Sequence, residues 1–213
     1  MPRETIRILL VDDHVVVRNG VRLMLGSEAD IVIQGEAGDA QEALRLAREH
    51  EFDVALVDIA LPCMNGLDLL RHLRAEHPRL AVLVLSTYAE EIYAVRALKL
   101  GASGYLTKDT PAAALVAAVR KAAAGGKYLS PALAEKLASM IGGTAMVSHE
   151  ALSNRELEVM KMIAAGDSLV KIAETLHLSP NTVTTYRTRI LQKMGMSSNA
   201  ELTRYAIENG LLI

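Results

Sequence analysis

Five short apolar runs divide the first 124 residues, and a stretch with the spacing of an amphipathic helix follows each run. The runs are IRILLV, IVIQGEA, DVALVD, AVLVLS and SGYLT. Strands that alternate with helices of about 10 to 14 residues are typical of a parallel sheet covered by helices. The pattern therefore predicts an α/β domain built from five strand-helix units.

The chain changes character after this region. GGKYLSP carries turn residues, ALAEKLASMI has the pattern of a short amphipathic helix, and GGTAMVSHEA has the composition of a linker. From residue 151 onward we find four helical segments and no strand pattern. We therefore expect a sheet domain over 1–124, a linker with a short helix over 125–150, and a smaller all-α domain over 151–213.

Composition excludes several classes of protein. With 51% hydrophobic residues, the chain can bury the cores of globular domains. The longest apolar run, Ala112–Val119, is far shorter than the ~20 residues of a spanning helix, and the N-terminus lacks a secretion segment. The single cysteine, Cys63, cannot form an internal disulfide and is a poor zinc ligand. We expect a cytoplasmic protein with no membrane contact.

Polar side chains stand at the ends of four predicted strands. Asp12 and Asp13 follow the first strand and Asp58 follows the third, while Ser86 ends the fourth and Lys108 follows the fifth. Ligands of an open parallel sheet gather at the carboxyl ends of its strands. Three carboxylates, one hydroxyl and one ammonium are therefore expected along one edge of the sheet.

These residue types suit phosphoryl chemistry. Carboxylates that converge without histidine or thiolate form a hard oxygen site for Mg²⁺. A lysine and a serine hydroxyl can hold phosphoryl oxygens, and a carboxylate can attack phosphorus to form an aspartyl phosphate. We favour Asp58 as that nucleophile because it stands alone, whereas Asp12 and Asp13 are adjacent and can share a cation. Taken singly, Asp13 could instead cap a helix, and Ser86 and Lys108 could be ordinary surface residues.

The C-terminal helices predict a helix-turn-helix. Ser153 precedes Glu156 by three residues, which is a capping box, and SLVKIAETLHL then gives a short helix. In SPNTVTTYRTRILQKM, Ser179 can cap the next helix and Pro180 suits its first position. Two short helices joined by a tight turn are typical of this DNA-binding motif.

The third of these helices has an apolar face and a polar face. Val183, Tyr186, Ile190 and Met194 fall on one side at ~100° per residue. The opposite side carries Thr184, Thr185, Thr188 and Gln192. We expect the apolar side to pack and the polar side to enter a DNA major groove.

Basic residues flank this polar side. Residues 150–213 are neutral overall, with seven basic and seven acidic side chains, but residues 175–200 contain three basic residues and no acidic one. Arg187 and Arg189 are positioned for the two phosphate backbones of a groove. Further backbone contacts are expected from Lys171, Thr182, Lys193 and Ser168, although Ser168 suits a helix cap equally well.

Residues 5–124 resemble the receiver domain of two-component response regulators. The resemblance lies in the acidic pair, the lone aspartate before an xPxMNG loop, and a serine followed 22 residues later by lysine. It implies a doubly wound, flavodoxin-like sheet of five strands and phosphorylation of Asp58 by the phosphohistidine of a sensor histidine kinase. Leu61 stands where methionine is usual, a change between two apolar residues.

The same resemblance assigns further roles. Mg²⁺ would be held by Asp13, Asp58 and the carbonyl of Ala60, with Asp12 acting largely through water. Tyr105 matches the aromatic switch position, whose ring turns inward when Ser86 moves toward the phosphoryl group.

Residues 151–213 resemble the LuxR-type DNA-binding domain, including GMSSNAELTRYAIENGLL. The two resemblances together indicate the NarL/FixJ family. They imply a phosphorylation-controlled transcriptional regulator that catalyses only its own phosphotransfer and dephosphorylation. They also imply a homodimer on double-stranded promoter DNA, and they leave a contact with RNA polymerase open. Thr184 and Tyr186 stand where many members carry Lys and His, so a target sequence cannot be borrowed from relatives.

Two other functions start from similar features. An aspartate-nucleophile phosphatase also uses a strand-end aspartate, but it places a general-acid aspartate two residues later, and residue 60 is Ala. A ligand-sensing LuxR-type regulator would share the C-terminal domain. Its sensory domain, however, has no need of Asp12, Asp58 and Lys108 at strand ends. The sequence therefore favours the response regulator.

Overall fold

The computed structural model of the 213-residue chain describes residues 5–88, 90–141 and 149–212. The chain divides into two compact units, residues 1–142 and 143–213. The first unit is a parallel sheet with helices around it, and the second contains only helices among its described residues. The predicted fold class is therefore confirmed.

The sheet of the first unit has five parallel strands. They are β1 (Ile6–Val11), β2 (Ile31–Ala37), β3 (Val54–Val57), β4 (Ala81–Ser86) and β5 (Gly104–Thr107). Their order is β2-β1-β3-β4-β5, the flavodoxin-like doubly wound arrangement. The strand order reverses between β1 and β3, so their carboxyl ends flank the crevice where ligands of such sheets bind.

Six helices accompany this sheet among the described residues. They are α1 (Val15–Leu25), α2 (Ala40–Glu49), α3 (Gly66–Glu76), α4 (Glu90–Lys99), α5 (Ala112–Ala123) and α6 (Pro131–Ile141). All four residues of β3 and all six of β4 are buried, because helices cover both faces of a doubly wound sheet. Apolar side chains of α1 and α5 join those of the strands in one core. This core fixes the strand ends that carry the polar residues.

The predicted linker helix is α6, and it packs on the first unit. Tyr128 forms a parallel bridge with Gly104 of β5, and its N–H donates to the Ser103 carbonyl at 2.7 Å. Ser130 caps α6 by accepting a hydrogen bond from the N–H of Leu133, and its hydroxyl donates to a carboxylate oxygen of Glu90 at 2.7 Å. The linker segment GGTAMVSHEA lies largely outside the described residues, which exclude 142–148.

The second unit contains four helices and one 3₁₀ turn in its described part. The helices are α7 (Asn154–Ala164), α8 (Leu169–Thr175), α9 (Pro180–Met194) and α10 (Asn199–Glu208), and the turn is His149–Ala151. The four helices agree with the four segments predicted from the sequence. Gly195 ends α9 with a φ of 64°, a conformation that glycine adopts without steric cost.

No helix in the described parts of the chain combines the length and apolar composition that crossing a bilayer requires.

Candidate functional site

The sheet brings the predicted strand-end carboxylates together. The Asp58 N–H donates to the Val11 carbonyl at 2.9 Å, which continues the pairing of β3 with β1 by one residue. Asp12 and Asp58 therefore stand side by side, and each is only 2% exposed. Two neighbouring core strands thus each end in a carboxylate, and the two carboxylates form a single buried acidic site.

Lys108 reaches both buried carboxylates. Its Nζ lies 2.6 Å from Asp12 Oδ2 and 2.7 Å from Asp58 Oδ2. The Lys108 N–H donates to the Ser86 carbonyl at 2.9 Å, so the end of β4 fixes the lysine backbone. Burial by itself lowers the pKa of Lys108, but hydrogen bonds to Asp12 and Asp58 outweigh burial and raise that pKa overall. The ammonium therefore stays charged and offsets the two carboxylates.

One oxygen of Asp58 is left for a further ligand. Oδ1 is buried, and none of the described residues donates a hydrogen bond to it. One ligand atom each from Asp12, Asp13, His14 and Asp58 lies within 4.8 Å of the others, a separation that one cation can bridge. A buried carboxylate oxygen without a donor is costly unless a cation or donor completes it. The residues present therefore fit a divalent cation.

Two neighbours of the acidic site were not predicted. His14 Nδ1 lies 2.6 Å from Asp13 Oδ1, so an imidazole adjoins carboxylates that were expected to converge without histidine. Arg18 donates to the Asp12 carbonyl at 2.6 Å and holds the β1 end from α1. His14 directly follows the acidic pair, and Arg18 lies five residues after Asp13, so their closeness in sequence is the signal that could have indicated them.

The structure also corrects the helix-cap alternative for Asp13. The N-cap position of α1 is His14, without a side-chain cap, and Asp12 Oδ1 accepts a hydrogen bond from the His14 N–H at 2.8 Å. Asp13 therefore does not cap α1, and its carboxylate faces the cluster. Ala60, whose carbonyl the resemblance implicates, is exposed in the loop after β3.

The loop after β3 explains why residue 66 is glycine. The Gly66 N–H donates to the Ile59 carbonyl at 2.9 Å, and Asn65 caps α3 through the N–H of Leu67. A Cβ on Gly66 would lie 1.8 Å from the Asp58 carbonyl oxygen. Only glycine permits this close return of the chain, which fixes the backbone beside Asp58.

Ser86 and Tyr105 lie on the β4 and β5 side of the site. Ser86 is fully buried, and its Oγ accepts a hydrogen bond from the Tyr88 N–H at 3.3 Å. Tyr105 is 1% exposed, and its hydroxyl donates to the Tyr88 carbonyl at 2.7 Å. Burial raises the pKa of Tyr105, so the phenol stays neutral. The inward ring, the β4 end and the loop before α4 are therefore linked by hydrogen bonds.

In the second unit, α9 has the buried apolar face and the exposed polar face that the sequence predicts. Val183, Ile190 and Met194 are buried in this unit, whereas Thr184, Thr185 and Thr188 are exposed. Ser179 caps α9 through the N–H of Thr182, and Pro180 occupies the first turn. A tight turn after α8 therefore directs α9 with its polar face toward solvent.

The predicted phosphate-contact residues differ in their surroundings. Arg187 Nε donates to Asn199 Oδ1 at 2.7 Å, which joins α9 to the start of α10, whereas Arg189 is exposed. Lys171 Nζ lies 2.5 Å from Asp167 Oδ1. Ser168 caps α8 by accepting a hydrogen bond from the Lys171 N–H at 3.2 Å. Of the two roles expected for Ser168, helix cap and phosphate contact, the structure contains the cap.

Lys193 has a structural partner that its sequence context does not indicate. Its Nζ lies 2.7 Å from Glu156 Oε2, and the Glu156 side chain is only 5% exposed. The same carboxylate oxygen accepts from the Ser153 N–H and completes the capping box of α7. Lys193 therefore fixes α9 against α7, a role that competes with a phosphate contact.

A flavodoxin-like sheet with this acidic edge, followed by a helix-turn-helix, is the architecture of two-component response regulators. The family model described as the response regulator receiver domain matches residues 8–120. The model described as bacterial regulatory proteins, luxR family, matches residues 150–206. The two matches cover the sheet with its acidic edge and the helices around α9.

Similar proteins match over nearly the whole chain. Response regulator GacA of Pseudomonas viridiflava is 37% identical over 209 residues, covering 97% of this chain and 98% of GacA. Response regulator UvrY of Escherichia coli (strain K12) is 35% identical over 208 residues, covering 97% and 95%. The chain belongs to the NarL/FixJ family of response regulators. It is a DNA-binding transcriptional regulator controlled by two-component signalling.

Solved structures agree on the fold. RcsB of Salmonella typhimurium superposes with a TM-score of 0.72 at 21% identity, covering 99% of this chain and 100% of RcsB. RcsB has also been described as two dimers bound to two parallel DNAs, with a TM-score of 0.60 at 22% identity, covering 95% and 98%. The receiver implies a histidine kinase partner, and the LuxR-type domain implies DNA binding.

Proposed function

We propose that Asp58 is the phosphoacceptor and that a sensor histidine kinase supplies the phosphoryl group from its phosphohistidine. The observation that carries this proposal is the asymmetry of the Asp58 carboxylate. Lys108 binds Oδ2 at 2.7 Å, while Oδ1 is buried with no donor among the described residues. Asp12 and Asp13, which adjoin it, are suited to hold Mg²⁺ beside this oxygen.

The residues of this site have distinct roles in the transfer. An oxygen of Asp58 bonds to phosphorus as the bond from phosphorus to the histidine nitrogen breaks, and the imidazole leaves. Lys108 keeps a positive charge beside the site and can follow the phosphoryl oxygens. The Ser86 hydroxyl can donate to one of those oxygens. Asp13, Asp58 and the Ala60 carbonyl would hold Mg²⁺, with Asp12 acting through water, and the ion would neutralise charge on the incoming phosphoryl group.

The chemistry is limited to the protein's own phosphorylation and dephosphorylation. The phosphoryl group ends on a side chain of this chain, and water later removes it. The family consists of transcriptional regulators rather than enzymes in the usual sense.

Phosphorylation then biases the side of the receiver that carries α4 and β5. If Ser86 turns toward the phosphoryl group, its hydrogen bond to the Tyr88 N–H is lost. Tyr105 also binds the backbone of Tyr88, so the change at Ser86 acts on the same loop before α4 that the Tyr105 hydroxyl contacts. A local change in charge thus selects between two packings of this surface.

The output is binding to promoter DNA as a homodimer. In this proposal α9 enters the major groove, its polar face meets the bases, and Arg187 and Arg189 contact phosphates on either side. Further contacts to the DNA backbone come from residues in the first turns of α8 and α9, namely Ser168, Lys171 and Thr182. Lys193 contributes less, because Glu156 holds it. Two half-sites about one helical turn apart would match a dimer, as in many helix-turn-helix proteins. At a promoter, such a dimer would recruit or block RNA polymerase.

Intact mass spectrometry after incubation with acetyl phosphate and Mg²⁺ tests the phosphoacceptor. The wild-type chain should gain the mass of one phosphoryl group, and Asp58→Asn should gain none. Asp109→Asn is the matched control, because Asp109 is exposed and adjoins Lys108 in sequence. A phosphoryl gain on Asp58→Asn equal to that of the control would overturn the assignment.

A further inference from the structure

The polar face of α9 consists mainly of threonines, and their hydroxyl protons are already bound. Thr184 Oγ1 donates to the Pro180 carbonyl at 3.0 Å and Thr185 Oγ1 to the Asn181 carbonyl at 3.0 Å. Thr188 Oγ1 donates to the Thr184 carbonyl at 3.1 Å. All three side chains are exposed. Each hydroxyl thus uses its one proton within the helix, although the residue is exposed to solvent.

A threonine whose hydroxyl proton is already bound can make only a few kinds of contact with a partner. A hydroxyl has one proton to donate and two lone pairs that accept. With the proton bound to the carbonyl four residues earlier, only the lone pairs and the methyl group remain for an outside ligand. The three threonines therefore present hydrogen-bond acceptors and methyl groups, with no donor of their own.

Base pairs differ in what they can offer to such a face. In the major groove, adenine presents an amino donor and its partner thymine presents a methyl group. Guanine presents two acceptors, which an oxygen lone pair repels, and its cytosine partner presents an amino donor without a methyl group. An acceptor beside a methyl group therefore matches the edge of an A·T pair best.

We infer that Thr184, Thr185 and Thr188 form an acceptor-and-methyl surface that selects A·T pairs at the centre of each half-site and rejects guanine there. The inference rests on the proposed insertion of α9 into the major groove and adds which base edges it selects. Thr184 and Thr188 are one helical turn apart and share the centre of the polar face, so they contact neighbouring base pairs. Thr185, one residue on, contacts the flank toward Arg189.

The first experiment selects bound sequences from random DNA with the full-length phosphorylated protein. Single atoms are then removed from the selected half-site. Replacing one thymine by deoxyuridine deletes only the methyl group, and replacing one adenine by deoxynebularine deletes only the amino group. Each deletion should weaken binding about three- to tenfold at the central pairs, the range for loss of one contact to a base edge.

Paired variants then assign each deletion to an atom of the protein. Thr188→Ser keeps the acceptor and loses the methyl group, whereas Thr188→Val keeps the methyl group and loses the acceptor. The loss of binding caused by deoxyuridine should disappear in one Thr→Ser variant and persist in the Thr→Val variant of the same residue. The loss caused by deoxynebularine should persist in the Thr→Ser variant and disappear in the Thr→Val variant. The same pairs are made at Thr184 and Thr185. Thr175→Val is the control, since Thr175 Oγ1 makes the same bond to the Lys171 carbonyl at 2.9 Å on α8, and it should leave both losses unchanged.

The outcomes separate this inference from the function on which it rests. A selected site with guanines at the central positions, or one whose binding ignores both deletions at every position, would overturn the inference while leaving sequence-specific DNA binding intact. If no preferred sequence is selected by the phosphorylated protein, both the proposed DNA-binding function and this inference are wrong.

Discussion

Lys108 Nζ lies 2.7 Å from Asp58 Oδ2, although the two residues are 50 positions apart in the chain. Parallel strands make this possible, because β3 and β5 end at the same edge of the sheet with β4 between them. The lysine offsets part of the negative charge before any phosphoryl group arrives. The other carboxylate oxygen of Asp58, which is buried, then favours the binding of a cation at the site.

Removing Mg²⁺ or its main proposed ligand should slow phosphorylation without unfolding the receiver. The Asp13 side chain is 36% exposed, so Asp13→Asn removes charge at little structural cost. We expect at least a tenfold weaker Mg²⁺ affinity by calorimetry and a slower mass gain with acetyl phosphate. Asp109→Asn should change neither. Phosphorylation at an unchanged rate in excess chelator would argue against a cation in this site.

Substituting the glycine behind Asp58 should disturb both stability and phosphorylation. The Cβ of Gly66→Ala would lie 1.8 Å from a backbone oxygen, so the β3–α3 loop must shift. We expect a loss of about 2 kcal/mol or more in urea unfolding, as for overpacked sites, together with slower phosphorylation. Gly38→Ala is the control, because a Cβ there meets nothing within 4 Å. Equal losses for the two variants would contradict the proposed role of this close approach.

Arg189 should contribute to DNA affinity but not to sequence preference. It is exposed beside the polar face of α9, so Arg189→Ala should weaken binding to all DNA similarly and reduce the salt slope by about one. Titrations at several salt concentrations on selected and scrambled DNA measure both quantities. Arg187→Ala should show a similar slope change plus a loss of stability, since Arg187 also binds Asn199. A change in preference with an unchanged slope would place Arg189 on the bases.

The Glu156–Lys193 pair should make the C-terminal domain lose stability in acid. Burial by itself raises the pKa of Glu156, but hydrogen bonds from Lys193 and Ser153 outweigh burial and place that pKa below its ordinary 4.5. The lowered pKa stabilises the fold above pH 4.5, and this contribution is lost as the pH falls through the folded-state value.

Glu156→Gln tests this linkage. Gln can keep the capping box but not the charge, so we expect a loss of about 1–2 kcal/mol at pH 7 that shrinks below pH 4.5. Urea unfolding at both pH values measures it, with Glu174→Gln as the control, because Glu174 is an exposed carboxylate on α8. A pH-independent loss at Glu156 would indicate that shape rather than charge matters at this position.

Much of this protein follows from local sequence patterns. The five apolar runs and the helical spacing between them placed the strands and the order of elements. Asp12, Asp58 and Lys108 could be assigned to one site because parallel strands share a carboxyl edge. The split of α9 into an apolar and a polar face also needed only the helical period, since burial in a helix repeats every 3.6 residues.

Other features depend on contacts between residues distant in sequence. Lys193 resembles a free basic residue in a basic segment, and only the packing of α9 on α7 places it beside the buried Glu156. Periodicity determined which helix residues are buried, because each helix buries one face. Tertiary structure alone decided which charges meet, because that depends on how separate elements pack in space.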